Sequence, residues 1–367
     1  MKPIYIWQQK NWPNFIWKDD KLSYKLGRVR SLQGKLVGKM SALGFDLKNS
    51  TILNALTADI TKSSEIEGEI LNIDQVRSSV ARHLGIEVEG LPEADRYIDG
   101  VVQVMLDATQ NYMQPLTDER LFNWHAALFP TGRSGAYKII VADWRQGSEP
   151  MQVISGAMGK EKIHYQAPDS DNVPSQMKLF LDWINDNQQI DPVLKAAIAH
   201  LWFVTIHPFD DGNGRLSRTI TDLLLARADE MPHRFYSMSA EIRKQRKGYY
   251  EILEKTQKGD LDITGWLEWF LNCLESALLD TEKSISTVLQ KSAFWDKYRF
   301  VSMNERQIRI VNMLWDGFDG KLTSSKWGKI TKCSADTALR DIQDLINKGV
   351  LRKTNERGRS TNYELFL

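Results

Sequence analysis

The chain has 367 residues, of which 42% are hydrophobic and 26% are charged. This length exceeds that of one ordinary core, so we expect two or three domains. With 48 Lys and Arg against 47 Asp and Glu, the formal net charge is +1, which excludes bulk electrostatic attraction to nucleic acid and leaves only local contacts.

The two cysteines, Cys273 and Cys333, lie in separate predicted helical regions and offer neither a disulfide framework nor a zinc cluster. The first seven residues lack the apolar run of a signal peptide, and no stretch approaches about 18 consecutive apolar residues. We therefore expect a soluble, cytoplasmic protein without a membrane partner.

The N-terminal part begins with a tryptophan-rich arm. Trp7, Trp12 and Trp17 are expected to dock onto the body of the protein, and an amphipathic stretch follows over 22–43. Asn49-Ser50 then offers N-cap chemistry for a helix with apolar residues spaced three and four apart. We expect this helix to stop at Gly68.

Helices are predicted next at about 74–84, 92–112, 117–128, 174–187, 191–206, 213–229 and 240–257. Between them, period-two alternation at 152–155 and 162–165 flanks Gly156-Ala157-Met158-Gly159, which predicts a β-hairpin. His164 lies in its second strand, and we expect it to be a half-exposed structural side chain.

A long amphipathic helix is predicted over 264–290. From about residue 301, three helices (305–315, 324–331 and 335–348) precede two short strands at 351–353 and 362–365 that bracket a polar tip. This order is typical of a winged helix-turn-helix.

The winged region carries 12 Lys and Arg against 8 Asp and Glu, a net charge of +4. Arg352, Lys353, Arg357 and Arg359 cluster in the wing, as phosphate contacts require. The third helix, however, also carries three aspartates, and winged folds also serve as protein-docking or dimer modules. DNA binding through 301–367 and protein docking both stay open.

The most specific stretch is His-Pro-Phe-Asp-Asp-Gly-Asn-Gly-Arg-Leu-Ser-Arg at 207–218. Its Gly-Asn-Gly turn runs into a predicted helix, so successive backbone N–H groups and the helix dipole form a phosphate site. Gly212 and Gly214 allow close backbone approach. Arg215 and Arg218 share a helix face and can grip phosphate oxygens with planar guanidinium groups.

Three further residues complete this stretch. Asp211 places one carboxylate beside the phosphate cradle, which suits Mg²⁺ because that ion takes one or two carboxylates together with phosphate oxygens and waters. His207, neutral near pH 7, can accept a proton from a hydroxyl. Phe209 is expected to anchor the loop in the core. The set predicts a nucleoside triphosphate site that is neither a Walker loop nor a protein-kinase site.

The motif resembles that of the Fic family, whose His-Pro-Phe, acidic residue, Gly-Asn-Gly-Arg and second Arg all occur here without substitution. The resemblance implies transfer of AMP from ATP, with Mg²⁺, to a Ser, Thr or Tyr hydroxyl of a target protein or of the chain itself, with release of pyrophosphate. It makes His207 the catalytic base and Asp211 the metal ligand. We expect nucleotide contacts from Glu67, Val204, Thr205, Ile206, His207, Gly212, Asn213, Gly214, Arg215, Leu216, Ser217, Arg218, Tyr249 and Tyr250, with ordinary helix packing as the alternative for the two tyrosines.

Ser63, Glu67 and Gly68 match the short inhibitory motif of that family. A carboxylate at Glu67 would pair with the guanidinium of Arg218, the group that otherwise holds the γ-phosphate. ATP would still bind, but its phosphates would be out of line for attack. The chain therefore resembles Fic proteins with an N-terminal inhibitory helix, here at about 50–68.

The resemblance also implies that the hairpin is a flap, at about 151–168, whose edge holds the target peptide near Val153, Ile154 and Ile163. We expect a mainly α fold, divided into an N-terminal helical region (1–90), a Fic core (91–258), a helical linker (259–300) and a winged helix-turn-helix (301–367). The alternatives are a DNA-binding regulator whose Fic body senses nucleotide, and an enzyme that removes AMP or transfers another nucleotide, phosphate or phosphocholine. A homodimer stays open.

Overall fold

The computed structural model describes residues 5–41, 44–88, 90–156, 162–186, 189–315, 317–318, 320–354 and 361–366. The flap turn at 157–159 and the wing residues Arg357 and Arg359 lie outside these ranges. The fold is mainly α-helical and divides into two compact units, Met1–Thr281 and Glu282–Leu367. The division falls within the segment that the sequence predicts to be a linker.

In the described residues, the helices and strands up to residue 257 are α1 (Asp19–Ser41), α2 (Phe45–Ile66), α3 (Ile73–Leu84), α4 (Arg96–Gln110), α5 (Asp118–Leu128), β1 (Arg133–Ser134), β2 (Tyr137–Lys138), β3 (Gln152–Ser155), β4 (Lys162–Gln166), α6 (Val173–Asn185), α7 (Pro192–Ile206), α8 (Asn213–Asp229), α9 (Met238–Lys244) and α10 (Arg246–Gln257). They are followed by α11 (Thr264–Lys297), α12 (Glu305–Trp315), α13 (Ser324–Thr331), α14 (Ala335–Asn347), β5 (Leu351–Lys353) and β6 (Tyr363–Leu365).

Helix α7 forms the centre of the first unit. It begins at Pro192, which suits a first helical turn, and the Asp191 side chain accepts a hydrogen bond from the N–H of Val193 at 2.8 Å. From Val193 to its end every residue except Lys195 is buried, so the helix is enclosed on all sides. It packs most extensively against α8. The short loop between these two core helices is therefore held firmly at both ends.

Helix α2 begins earlier than the sequence indicates. The predicted N-cap at Asn49-Ser50 is wrong, because the helix starts at Phe45 and passes through this polar pair. The hydroxyl of Thr51 donates to the carbonyl of Leu47 at 2.8 Å, which is a bond of a helix interior. At the other end the helix stops after Ile66, and Gly68 has a φ of +88°, as a helix-terminating glycine requires.

A buried ion-pair cluster fixes α2 to the core. The guanidinium of Arg234 contacts the carboxylates of Asp59 on α2 and Asp222 on α8, and all three side chains are almost fully enclosed. The Asp59 carboxylate also accepts from the hydroxyl of Ser237 at 2.6 Å. Breaking a buried pair from one side costs about 3–5 kcal/mol, so this cluster holds α2 firmly on α8.

The sequence predicts one helix over 240–257, and this prediction is wrong. The structure has two helices, α9 and α10, separated at Gln245, where φ is −104° and ψ is 24°. Just after the break, Nε of Arg246 donates to the carbonyl of Ile66 at 2.6 Å. The interruption therefore lets α10 approach the C-terminal end of α2, a long-range contact that local periodicity does not encode.

Two of the three tryptophans of the N-terminal arm dock onto the body of the first unit as expected, whereas the indole of Trp17 donates to its neighbour Asp19 at 2.8 Å. The indole N–H of Trp7 donates to the carbonyl of Gln166 at 2.9 Å, and that of Trp12 donates to the side chain of Gln176 at 2.8 Å. Ile16 forms a parallel β-bridge with Asp262.

Two short antiparallel hairpins project from the first unit. The pair β1 and β2, which the sequence did not predict, spans only residues 133–138. The pair β3 and β4 matches the predicted flap, with Ile154 opposite Ile163 and Val153 opposite Tyr165. This register skips His164, which makes it the extra residue of a β-bulge.

The second unit has its own hydrophobic core, which includes Phe294, Ile310, Leu322, Trp327 and Leu345. Strands β5 and β6 are antiparallel. The order of elements is the one predicted, and their assignment as a winged helix-turn-helix stays a prediction. No helix in the described part of the chain is both long enough and apolar enough to span a bilayer.

Candidate active site

The candidate site is the loop that connects α7 to α8. Its first residue, His207, has a φ of +53° and ends α7, and Gly212 at +81° precedes α8. Between them the side chain of Asn213 accepts from the N–H of Phe209 at 3.0 Å and donates to the Phe209 carbonyl at 2.8 Å. Phe209 is fully buried, as expected. The loop is therefore closed on itself and anchored in the core.

The imidazole of His207 is oriented by its own helix. Nδ1 lies 3.2 Å from the carbonyl of Val204, which can only accept, so Nδ1 carries the proton and Nε2 keeps its lone pair. Burial lowers the pKa of His207, an effect that the nearby carboxylates of Glu67 and Asp211 oppose only in part. The ring is neutral at pH 7 and available as a base.

Two further buried side chains hold the loop in place. Nε of Arg145 donates to the His207 carbonyl at 2.7 Å, and the Arg145 backbone N–H donates to the Pro208 carbonyl at 2.9 Å. His125 accepts at Nδ1 from the N–H of Ala142 at 3.2 Å and so donates from Nε2 to the Asp211 carbonyl, also at 3.2 Å. Burial lowers the pKa of His125 to about 4, so the ring is neutral at pH 7 and keeps both hydrogen bonds.

Arg218, on the first turns of α8, is contacted by Ser63 of α2 and by Glu67, the residue that follows this helix. Its Nη2 donates to Oε1 of Glu67 at 2.8 Å and to the Ser63 carbonyl at 3.0 Å, and its Nε donates to the Ser63 hydroxyl at 2.9 Å. A methyl group on Gly214 would collide with the Glu67 carboxylate, so this carboxylate lies directly against the glycine turn. The predicted inhibitory residues are thus in contact with the predicted phosphate-binding arginine.

Arg215 is engaged by a second acidic residue that the sequence reasoning did not include. Its Nη1 donates to Oε2 of Glu69 at 3.2 Å and to the hydroxyl of Tyr97 at 2.9 Å, while its guanidinium lies over the ring of Phe129 at 4.9 Å. Since Glu69 follows Glu67 by two residues, one short segment supplies a carboxylate to each arginine of the loop.

Each arginine keeps an unused donor. Nε of Arg215 and Nη1 of Arg218 are buried and have no hydrogen-bond partner among the described residues. Buried donors without acceptors are costly, and a phosphate oxygen would satisfy them. The N–H groups of the first turn of α8 add to this positive potential, since they have no acceptor within the helix. The site therefore suits a polyanion.

A cavity of about 430 Å³ opens beside Arg215. It is lined by Glu67, Glu69, Arg215, Asp211 and Ser134, among others. Small-molecule sites commonly have about 300–1,000 Å³, so this space is adequate for part of a nucleotide.

Asp211 lies on the cavity wall, and its two oxygens are oriented by neighbours. Oδ1 accepts from the N–H of Gly212 at 2.6 Å, and Oδ2 accepts from the hydroxyl of Ser134 on β1. No cluster of three or more His, Cys, Asp or Glu capable of holding a metal by itself occurs in the described ranges. A single carboxylate beside a phosphate cradle nevertheless fits Mg²⁺, which completes its shell with phosphate oxygens and water.

The remaining predicted nucleotide contacts lie at different depths. Val204, Thr205, Ile206, Leu216 and Ser217 are buried in α7 and α8, behind the loop. Tyr249 is also buried, and its hydroxyl lies 2.8 Å from Nε2 of His200. Tyr250 is nearer the site, since its hydroxyl lies 3.4 Å from Oε2 of Glu67.

The flap presents apolar side chains at its edge. Ile154 and Ile163, opposite each other in the hairpin, are 54% and 45% exposed, whereas Val153 is half-buried near Tyr5 and Tyr165. The flap thus combines an exposed apolar pair with an anchored base.

A model described as the Fic/DOC family matches residues 115–225, the range that holds α7, the loop and both arginines of α8. The chain carries a Fic/DOC family domain. A second match, to a domain of unknown function (DUF4172), covers residues 5–86 and therefore the N-terminal arm and α2. The Fic domain and the segment that carries Glu67 are matched by different family models.

Relatives of the Fic domain include two animal proteins named protein adenylyltransferase Fic. The one from Nematostella vectensis is 26% identical over 239 residues, which is 62% of this chain and 49% of that protein. The one from Drosophila mojavensis is 35% identical over 225 residues, 60% of this chain and 40% of that protein. The chain thus spans half or less of the length of these relatives.

Two solved structures share the fold. A Fic family protein from Desulfovibrio desulfuricans has a TM-score of 0.51 at 21% identity, covering 93% of this chain and 95% of that one. A Fic domain containing signaling protein from Bacteroides thetaiotaomicron has the same TM-score at 20% identity, covering 70% and 93%. At this identity the likeness concerns the fold.

Sequence reasoning missed several residues of the Fic site. Arg145 and His125 hold the loop, Ser134 orients Asp211, and Glu69 engages Arg215. Arg145, His125 and Ser134 belong to no motif. Only Glu69 carried a usable signal, since a second acidic residue follows the inhibitory motif directly.

Proposed function

We propose that this chain is an autoinhibited protein adenylyltransferase. It moves AMP from ATP to a Ser, Thr or Tyr hydroxyl of a target protein or of the chain itself, and it releases pyrophosphate. The observation that carries the proposal is the unused pair of buried donors on Arg215 and Arg218, at the start of the helix that follows the loop opened by the neutral imidazole of His207. The names of the relatives support AMP as the transferred group.

The proposed reaction is a displacement at the α-phosphorus of ATP. Nε2 of His207 takes the proton of the attacking hydroxyl while the oxygen forms a bond to phosphorus, and the bond to the pyrophosphate oxygen breaks with its electron pair leaving on pyrophosphate. The hydrogen bond from Nδ1 to Val204 keeps Nε2 aimed away from α7. Most of the rate enhancement comes from this positioning.

Charge that develops on the phosphates is met by fixed donors. The N–H groups at the start of α8, next to Gly212 and Gly214, face the position of the transferred phosphoryl group, and Arg215 and Arg218 hold the β- and γ-phosphates. Asp211 would hold Mg²⁺, which supplies neutralisation of phosphate charge when bound.

Inhibition follows from the position of the Glu67 carboxylate. It occupies Nη2 of Arg218 and the space over Gly214, where the γ-phosphate would lie. A triphosphate held out of line loses orders of magnitude in rate while keeping much of its affinity. The target is held by the flap, whose exposed Ile154 and Ile163 offer apolar contacts beside a strand edge.

Labelled ATP tests this function. We expect the Glu67→Gly variant to incorporate label from the α-phosphate and none from the γ-phosphate, and the Glu67→Gly/His207→Ala double variant to incorporate neither. Incorporation from the γ-phosphate would identify phosphoryl transfer instead. Loss of label from a pre-modified protein in the presence of wild type would add AMP removal to the activity.

A second candidate function, DNA binding through 301–367, gains support from α14. Two of the three aspartates that argued against it are paired with cations, because the buried Asp341 contacts Arg306 at 2.8 Å and the half-exposed Asp344 lies 2.5 Å from Lys348. Two of the three negative charges of the helix are therefore neutralised by neighbouring cations and repel phosphates less.

Fluorescence anisotropy of the full chain with double-stranded DNA tests this second candidate. Specific binding that weakens steeply with salt and is lost on Lys353→Glu would support it. Binding no tighter to any sequence than to random DNA would leave the second unit as a protein-docking module.

A further inference from the structure

His164 lies at the β-bulge of the flap. The register pairs Ile154 with Ile163 and Val153 with Tyr165, so His164 has no residue opposite it. Bulges next to active sites commonly redirect one side chain out of the alternation of the strand. Here the redirected side chain is an imidazole with a partner at each nitrogen.

The imidazole bridges the flap and α10. Nδ1 lies 2.6 Å from Oε2 of Glu254, and Nε2 lies 2.6 Å from the hydroxyl of Ser155 on the opposite strand. The other oxygen of Glu254 accepts from Nζ of Lys258 at 2.6 Å. Burial raises the pKa of Glu254, but the hydrogen bonds from Lys258 and His164 outweigh this and lower it to about 2. Glu254 is therefore an ionised acceptor, and Nδ1 of His164 is the donor.

The next residue of β4 is fixed to a different helix. The hydroxyl of Tyr165 donates to the Thr205 carbonyl at 2.6 Å, two residues before His207. Strand β4 is thus tied to α7 through one side chain and to α10 through its neighbour. Since α10 also carries Tyr250, beside Glu67, the two ties relate the flap to both sides of the loop.

We propose that His164 and Glu254 are positioning residues that set the flap over His207, so that a bound acceptor hydroxyl meets Nε2 at attacking distance. The proposal rests on the proposed adenylyl transfer. Neither residue lines the cavity beside Arg215, so both act through the position of the flap. The bulge directs the imidazole of His164 towards α10, and the carboxylate of Glu254 on that helix holds the imidazole in place. Loss of the tie leaves β4 attached only near its C-terminal end, through the Tyr165 hydroxyl and the Gln166 carbonyl that accepts from Trp7, so the part of the strand before them can move.

The test uses the full chain in the Glu67→Gly background, with self-modification followed by intact mass. His164→Leu removes both hydrogen bonds, whereas His164→Asn keeps a donor close to the position of Nδ1. We expect His164→Leu to lower the maximal rate at least about tenfold while leaving the ATP concentration for half-maximal rate unchanged, and His164→Asn to restore much of the rate. Lys258→Met is the matched control, since it removes the other partner of Glu254 and leaves the tie in place.

Amide hydrogen exchange supplies a readout that does not depend on activity. In His164→Leu the amides of 152–155 and 162–166 should exchange at least about tenfold faster, with no change in α7. Unchanged exchange, or an unchanged maximal rate, would overturn the proposal. If the Glu67→Gly parent transfers no AMP, the proposed function fails, and the exchange measurement alone decides whether His164 holds the flap.

Discussion

Oε1 of Glu67 lies 2.8 Å from Nη2 of Arg218, and it does so across the boundary between two family models, since Glu67 belongs to the N-terminal region and Arg218 to the Fic domain. The arginine is almost completely buried, whereas the carboxylate is 35% exposed. The contact therefore joins a fixed group in the core to a group that solvent or a ligand can reach. This asymmetry makes Glu67 the member of the pair that can be displaced.

Replacing Glu67 should make the thermal stability of the protein depend more strongly on bound nucleotide. In Glu67→Gly the Arg218 charge loses its carboxylate, so we expect a lower melting temperature without ligand. Mg-ATP then supplies the missing anion and, at about 100 times the Kd of this variant, should raise the melting temperature by about 4–6 °C. The wild type, whose site already holds a carboxylate, should shift less. Thermal denaturation with and without Mg-ATP measures both, and equal shifts would argue against competition between Glu67 and the γ-phosphate.

The rate of transfer should depend on pH through His207. Because burial lowers the pKa of His207, the base stays unprotonated below the ordinary value of about 6.5, and the acid limb of the rate profile should lie below that pH. The Glu67 carboxylate raises this pKa, so its removal in Glu67→Gly moves the limb further down. Rates from pH 5 to 8 in that background check the prediction. An acid limb above about 6.5 would mean that another group is the base.

Arg145 should control the placement of the base. Lysine cannot reproduce the guanidinium contacts with the His207 and Pro168 carbonyls, so in the Glu67→Gly background Arg145→Lys should lower kcat by about 10- to 100-fold with little change in ATP affinity. Arg227→Lys is the control, because Arg227 makes comparable contacts with the Tyr112 and Gln114 carbonyls away from the loop. Steady-state kinetics of both variants check this prediction. An equal loss of kcat in the two would mean that Arg145 contributes to general stability and does not specifically place the base.

Glu69 should inhibit less than Glu67. Its carboxylate is 40% exposed and lies 3.2 Å from Arg215, a geometry in which an ion pair contributes about 0.2–1 kcal/mol. Glu69→Gln should therefore raise transfer by no more than about fivefold, well below the effect of Glu67→Gly. Initial rates of the two single variants and the double variant give the comparison. A larger effect for Glu69 would mean that the main inhibitory contact is the one between Glu69 and Arg215.

The parts of the site that could be predicted from the sequence are those encoded by a motif. The turn around Gly212 and Gly214, with its two arginines, follows from residues adjacent in the chain. The contact of Ser63 and Glu67 with Arg218 joins two motifs far apart in sequence, and it was predictable because both recur together in one family.

The parts that could not be predicted depend on tertiary packing. The interruption at Gln245 lets Arg246 reach the carbonyl of Ile66, and nothing in the local periodicity of 240–257 records that partner. Likewise, Tyr249 lies in the core, where its hydroxyl is 2.8 Å from Nε2 of His200. Its neighbour Tyr250 instead reaches the site, where its hydroxyl is 3.4 Å from Oε2 of Glu67. A pair of adjacent tyrosines does not indicate which of them faces the ligand.

The most direct test of the account is intact-mass analysis of this chain and three variants after incubation with Mg-ATP. The account predicts little or no added mass for the wild type, added adenylyl groups for Glu67→Gly at a rate at least about tenfold higher, and none for Glu67→Gly/His207→Ala. Glu65→Gln, which alters a neighbouring acidic residue paired with Lys62, should behave as the wild type. Equal modification of the wild type and Glu67→Gly, or modification that survives the loss of His207, would contradict it.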